Sequence, residues 1–298
     1  MLYDSYVKII DAHHHLWDLS IFPYEWLNEP HSIGDISGIR KNYLINDFLN
    51  DAKNLDLFKS VHIQCNGGKN SPVEETEWLQ SIADIYNFPN GIVFYSDLLQ
   101  DNVEKEIDQH CKYKNTRGLR YLLNYDPHNT IDCFTSEEVL INEKWKKNYS
   151  LLNKYNLTFD VHLWPEQYGY AYKLFKENPD ILNIINHAGT PKKRDSEYLN
   201  FWKKELKKLA SLDNTAIKIS GLGMFDQSWT TDSIRPIVLD CIETFGIDRC
   251  FFATNFPVDK LFSSYEKVWK SYFEITQNFS EEENNKLFFK NAEKFYRI

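Results

Sequence analysis

Eight short runs rich in Val, Ile, Leu, Phe and Tyr recur along the chain, at about 7–13, 60–65, 91–98, 116–122, 157–164, 181–187, 215–221 and 250–256. Segments of helical period separate them, near 74–87, 101–112, 143–155, 166–177, 196–212, 231–245 and 264–277. A last helix is predicted after Ser280, with Glu283 as its capping-box partner. Strands alternating with helices read as βα units, and a helical crossover obliges successive strands to run parallel. Eight such units without a Gly/Ser/Pro linker, a short-period repeat or a low-complexity block favour a closed (β/α)8 TIM barrel over an open doubly wound sheet. They also favour one α/β domain over residues 1–298.

Strand parity sharpens that choice. Alternate side chains of a strand share a face, so His13 and His15 point together after the apolar Val7, Ile9 and Ile10, while His14 points towards the helix layer. The same parity can place His62 with Gln64, Arg120, Asp160 with His162, His187, Lys218 with Ser220, and Asn255 on one polar face. An open sheet covered on both sides has no use for such a face, whereas a barrel gathers its active site at the C-terminal strand ends. The site is therefore expected there, with the loop 16–46 as rim or lid and specificity in loops 16–46, 66–73, 124–135 and 223–231.

Residue type narrows the roles. Imidazole is a common metal ligand and the side chain whose proton moves near pH 7, which makes the His13/His15 pair a metal-site or catalytic geometry. His187 ends its strand among small residues that let a ligand approach. His162 and His62 read either as site residues or as core histidines satisfied by a hydrogen bond. Arg120 has the planar fork to grip a carbonyl or anionic oxygen. Arg117, of opposite parity, is expected to pair with a helix carboxylate, and Lys218, lower in its strand, to be a buried structural partner. Trp17, Trp164 and Phe256 are candidate pocket walls.

The formal charge of −9 and the absence of a basic patch argue against nucleic-acid binding, and the Lys runs at 144–147 and 203–208 interleave with other residues as solvated helix faces do. Five cysteines without C-x-x-C spacing suit a reducing compartment. With no basic leader before an apolar core and no membrane-length apolar stretch, a soluble cytoplasmic protein is expected. The expected partner is a small molecule, and a homo-oligomer is left open.

Five motifs in order, His13-x-His15, Arg117-Gly-Leu-Arg120, Asn186-His-Ala-Gly-Thr-Pro191, Lys218-Ile-Ser-Gly-Leu222 and Thr254-Asn-Phe-Pro-Val-Asp259, resemble the amidohydrolase superfamily. They look most like its amidohydrolase-2 branch of sugar lactonases and pyrone-dicarboxylate lactonases, over nearly the whole chain. The resemblance implies a distorted barrel that hydrolyses C–O or C–N bonds. It also implies one divalent ion, zinc first, with His13, His15, His162 and His187 as candidate ligands, although the lactonase branch also has members that work without a metal. The pattern's strand-eight Asp, ligand and base for the attacking water, stands here as Asn255, and Gln64 is neutral where relatives often carry a carboxylate. An amide cannot take a proton at neutral pH, so the base has moved, to Asp259, Asp97 or a site histidine, or hydrolysis has been lost.

These readings lead to a hydrolase of a small cyclic ester, with Arg120, His187, Asn255 and Asp259 as catalytic candidates and His62, Gln64, Trp17 and Trp164 as substrate contacts. The alternatives are a zinc-dependent non-oxidative decarboxylase of the same superfamily and a non-catalytic, ligand-binding relic. At most one metal ion is expected, because the matched positions offer too few carboxylates to neutralise two.

Overall fold

A computed structural model describes residues 7–65, 72–129 and 133–298. Most of the expected loop 66–73, and residues 130–132 of the loop 124–135, lie outside the described residues. The strands are β1 (Ile9–His14), β2 (Leu57–Ile63), β3 (Gly91–Phe94), β4 (Thr116–Leu122), β5 (Thr158–His162), β6 (Asn183–Ile185), β7 (Thr215–Ile219) and β8 (Cys250–Phe252). They pair in parallel in the order β1 to β8, as a distorted (β/α)8 barrel requires. The helices are α1 (Ile45–Ala52), α2 (Pro72–Tyr86), α3 (Val103–His110), α4 (Glu143–Tyr149), α5 (Leu151–Lys154), α6 (Tyr168–Glu177), α7 (Ser196–Ala210), α8 (Thr231–Phe245), α9 (Tyr265–Ile275), α10 (Glu281–Asn285) and α11 (Asn291–Tyr296). Among the described residues no helix is long and apolar enough to cross a membrane.

Helix boundaries follow local chemistry. The Ser280 hydroxyl accepts from the Glu283 N–H while the Glu283 carboxylate accepts from the Ser280 N–H at 2.8 Å, the reciprocal cap expected there. The single helix expected over 143–155 is instead two, divided at Ser150. The Ser150 hydroxyl donates to the Lys147 carbonyl at 2.7 Å, a local bond that competes with the helical ladder.

The apolar residues separate into two layers according to parity. Ile9, Ile92, Leu119, Phe159, Ile185, Ile217 and Phe252 face the helices, while Ile10, Val61, Ile63, Val93, Ile184, Ala216 and Phe251 fill the barrel. Ala292, Phe295 and Tyr296 of α11 join the inner cluster, so the end of the chain plugs the barrel from the side where the strands begin. The arginines on that side fasten it. Arg117 donates to the Arg297 carbonyl at 3.2 Å and Arg297 donates to the Arg117 carbonyl at 3.0 Å. Arg117 thus serves backbone carbonyls, including those of Lys114 and Thr116, and among the described residues it meets no helix carboxylate of the kind expected.

One irregularity and the barrel's closure shape the mouth. The β1–β2 register slips between Asp11 and His14, a bulge that re-aims the histidines which follow. Within β2, Val61 and Ile63 point into the barrel, so His62 faces outward beside His14, with ring centroids 5.6 Å apart, contrary to the expected polar face. Closure of the barrel is made at this level. His14 bridges Phe256, the Asn255 N–H donates to the His13 carbonyl at 2.8 Å, and the His15 N–H donates to the Phe256 carbonyl at 2.7 Å. The Asp11 carboxylate completes the seam by accepting from the Thr254 N–H at 3.1 Å and from its hydroxyl at 2.6 Å.

Below the mouth lies a buried ion pair. Lys218 donates to Asp160 at 2.6 Å with both side chains fully buried, and Asp160 also accepts from Tyr296 at 2.8 Å and Asn186 at 2.9 Å. Burial pulls the Lys218 pKa down to about 8 against the opposing pull of Asp160. Removing one charge from such a pair leaves the other uncompensated, which costs roughly 3–5 kcal/mol. Lys218→Met is expected to lose about that much in urea unfolding, and the double variant D160N/K218M to recover a substantial part of it.

Candidate active site

A cavity of about 460 Å³ opens at the C-terminal mouth, lined by His15, Gln64, Arg120, His162, Trp164, His187 and Asn255. The loop 16–46 supplies its rim through Trp26, Glu29, His31, Ser32 and Ile33. The other expected residues lie around it. His13 sits behind the lining, its ring 4.9 Å from that of His15 and 4.6 Å from that of His187. Trp17 is buried behind His15, with rings 6.5 Å apart, and donates to the Lys41 carbonyl at 2.7 Å; it supports the wall and does not form it. Phe256 packs edge-on against Tyr265. His62 bonds the Leu16 carbonyl at 3.4 Å outside the barrel. Asp97, one place considered for a displaced base, accepts from Tyr121 at 3.0 Å and from the Leu99 N–H at 2.9 Å.

Two of the imidazoles, His15 and His187, are held by hydrogen bonds. The Nδ1 of His15 lies 2.8 Å from the Ile63 carbonyl. A carbonyl only accepts, so this nitrogen carries the proton and Nε2 keeps a lone pair. His187 meets the Ser220 hydroxyl through Nδ1 at 3.0 Å and sits on a backbone with φ of 53°. Gly221 permits that packing, since a Cβ there would stand 2.5 Å from His187 Nδ1. Both ring nitrogens of His13 and the Nε2 of His162 are buried without a hydrogen-bond partner. The His162 and His187 rings are 5.1 Å apart.

Burial drives the pKa of His13, His15 and His187 well below the ordinary imidazole value, with nearby Lys218, Arg120 and other histidines acting in the same direction. Burial, with Arg120 next, brings His162 down to about 3. These rings are therefore neutral lone-pair donors at pH 7. Arg120 donates to the Gln64 carbonyl through Nη2 at 2.6 Å, and its Nε has no partner.

Asn255 holds φ of 65°, and its Nδ2 donates to Asp259 Oδ2 at 2.7 Å. The opposite Asp259 oxygen accepts from the Gly223 N–H at 3.2 Å. Asp259 is buried behind Asn255, away from the cavity lining, and burial raises its pKa to about 7. Parity had not singled out several lining residues: Cys65, Tyr95, Tyr121, Phe134, Met224 and Phe225. Apart from Tyr121, which lies in β4, they stand beyond strand ends, and Phe134, Met224 and Phe225 come from the loops 124–135 and 223–231 expected to carry specificity.

The amidohydrolase family model matches residues 10–298. The chain belongs to the amidohydrolase family. An uncharacterised protein, y4mH, of Sinorhizobium fredii is 42% identical over 297 residues, covering 99% of this chain and all of that protein. The L-fucono-1,5-lactonase of Burkholderia multivorans is 24% identical over 277 residues, covering 87% of this chain and 85% of the relative. A crystal structure of a Burkholderia multivorans amidohydrolase with bound zinc superposes with a TM-score of 0.83 at 19% identity, over 98% of this chain and 99% of that one.

Among the described residues no group of three or more His, Cys, Asp or Glu is placed to hold a metal ion. The expected ligands His13, His15, His162 and His187 stand with neighbouring rings 4.6–5.1 Å apart. His15 Nε2 lies 3.3 Å from the Asn255 Oδ1, and among the described residues the one carboxylate lining the cavity is Glu29, on the rim.

Gly221→Ala tests how His187 is placed. A side chain at φ +63° costs about 1–2 kcal/mol, and its Cβ would displace the ring. The variant is expected to melt lower by a corresponding amount and to show a moved His187 in a crystal structure.

Proposed function

We propose that this amidohydrolase hydrolyses a small cyclic ester, a sugar lactone or a carboxylated lactone. The observation that carries the reading is the convergence of neutral imidazoles and one buried guanidinium on a single aromatic-walled cavity. The likeness to a fucono-lactonase over most of the chain supports it. Trp26, Tyr95, Phe134, Trp164 and Phe225 offer flat apolar faces for a ring, and the volume of about 460 Å³ suits a molecule of monosaccharide size.

In this reading the substrate's carbonyl oxygen accepts from the unpartnered Nε of Arg120, whose fork is held in place by its bond to the Gln64 carbonyl. Burial lowers the Arg120 pKa only to about 10, so it remains charged at pH 7 and stabilises the oxyanion that develops. His187, with Nδ1 fixed by Ser220, takes the proton of the attacking water on Nε2. The water oxygen bonds to the carbonyl carbon, the ring C–O bond breaks, and the proton passes from His187 to the departing alkoxide. Because its surroundings disfavour the imidazolium, His187 gives that proton up readily.

The reading is tested with a panel of five- and six-membered sugar lactones and carboxylated lactones, followed by pH-stat. Saturable hydrolysis well above the spontaneous rate is expected for at least one of them. Arg120→Lys is expected to lower kcat/KM by roughly 10²–10³, the scale for removing a positioned oxyanion donor. Rates equal to background across the panel would overturn the proposal.

A further inference from the structure

At the end of the barrel where the strands begin, a second cavity, of about 250 Å³, is lined by Arg117 and Arg297 together with Thr116, Tyr155, Asn156 and Leu157. The last turn of the chain brings the two guanidiniums together. Arg117 donates through Nε to the Arg297 carbonyl at 3.2 Å, and through Nη1 to the carbonyls of Lys114 and Thr116 at 2.7 and 2.8 Å. Arg297 donates through Nη2 to the carbonyls of Arg117 and Asn156 at 3.0 and 2.8 Å, and through Nη1 to that of Phe295 at 3.4 Å. A guanidinium carries five N–H groups in a fixed fork. These bonds therefore leave uncommitted both N–H groups of Arg117 Nη2, the N–H of Arg297 Nε and one N–H of Arg297 Nη1.

Carbonyl oxygens satisfy hydrogen bonds but do not cancel charge. Among the described residues no carboxylate forms an ion pair with either guanidinium. The lysines that flank these segments hold the acids for themselves: Lys114 pairs with Asp84 at 2.7 Å, Lys154 with Glu104 at 2.6 Å and Lys112 with Asp108 at 3.8 Å. Burial lowers the Arg117 pKa and the Arg297 charge adds to that fall, yet an arginine stays protonated in a protein. Two uncompensated positive charges thus line one cavity, in a chain whose formal charge is −9.

That arrangement selects a ligand by charge and by geometry. A single carboxylate would cancel one of the two charges, whereas a phosphate group, at about −1.5 to −2 near pH 7, cancels both. Its oxygens accept several N–H groups at once, and planar forks take them in parallel pairs. We propose that Arg117 and Arg297 form a binding site for a phosphate-class oxyanion, free or as a phosphomonoester, at the end of the barrel opposite the mouth. The bound ion joins the start of β4 to the last turn of the chain. Arg297 follows Tyr296, whose hydroxyl donates to Asp160 at 2.8 Å, so the ion also holds the plug made by α11 in place. Tyr155 and Leu157 offer an apolar face to the organic part of an ester.

The full-length protein is titrated by calorimetry with inorganic phosphate and with phenyl phosphate, as wild type, Arg117→Gln and Arg297→Gln. Sodium chloride holds the ionic strength constant, which separates a site from general screening. Wild type is expected to bind saturably, with a dissociation constant of about 1 mM or tighter. Each variant is expected to bind weaker by about 10-fold or more, the loss of a charged hydrogen-bonding partner. Saturating phosphate is expected to raise the wild-type melting temperature by about 2–4 °C and to leave that of the variants unmoved. Both orders of affinity support the site: tighter binding of the phenyl ester assigns it to phosphomonoesters, and tighter binding of inorganic phosphate assigns it to the free ion. Absence of saturable wild-type binding below about 10 mM would overturn the proposal. Unchanged affinity in Arg297→Gln would also overturn it, because the ion would then sit elsewhere, beside Arg120 at the mouth included. Should a variant not fold, a wild-type crystal grown in selenate decides: an anomalous peak between Arg117 and Arg297 upholds the site, and none there overturns it. Neither substitution touches the mouth, so the outcome is independent of lactone hydrolysis.

Discussion

The seam between β1 and β8 is what the rest of this molecule depends on. A full ladder does not carry it; a few specific bonds do. Asp11 accepts from both the N–H and the hydroxyl of Thr254, and the backbone of His13 and His15 meets that of Asn255 and Phe256. Asp11 also accepts from Tyr265 at 3.0 Å, so the seam is tied to α9. Burial raises the Asp11 pKa to about 6, and its hydrogen bonds oppose that rise. The residues that close the barrel are thus the residues, or the immediate neighbours of the residues, that form the site. Opening the seam would dissolve both together.

The same economy shows in the backbone. His187 and Asn255, neither of them glycine, hold φ of 53° and 65°. L-residues adopt that region at a cost of about 1–2 kcal/mol each. Such conformations persist only where surrounding structure over-determines them. Here Ser220 and the bare Cα of Gly221 fix His187, while the His13 carbonyl and Asp259 fix Asn255. Two elements that come close only when the barrel closes are held rigidly enough to aim side chains at one cavity.

Charge is distributed in depth. The ion pair of Lys218 and Asp160, capped by Tyr296 from the last helix, lies beneath the imidazoles, and Arg120 stands beside them. Both cations work with burial to keep the rings neutral. A charged histidine layer would repel an incoming cation and offer no lone pairs. A neutral one offers several, in a mouth whose walls include five large aromatic side chains, Trp26, Tyr95, Phe134, Trp164 and Phe225.

Much of this was legible in the chain. Period-2 and period-3.6 alternation marked eight strands and the helices between them, because burial on a barrel wall imposes those spacings wherever they occur. Alternation holds for Arg120 and His162 within their strands, whereas His15 reaches the cavity through the bulge in β1, and His187 and Asn255 through positive-φ backbone beyond β6 and β8. Parity misled at His62 because which of the two alternating faces of β2 turns inward depends on pairing with distant strands, which no local pattern records: Val61 and Ile63 take the inner face. It was silent on Asp11, whose partner Thr254 is 243 residues away. It was also silent on the loops that bring Tyr95, Phe134 and Phe225 to the mouth. Arg117 illustrates the limit from the other side, since its partners are backbone carbonyls that every residue possesses. Asn255 and Asp259 could be named from the sequence as the odd pair of the eighth strand. Which of them faces the cavity and which stands behind was decided only when tertiary packing gripped the carboxylate between an amide and the Gly223 N–H, leaving the amide oxygen to face His15.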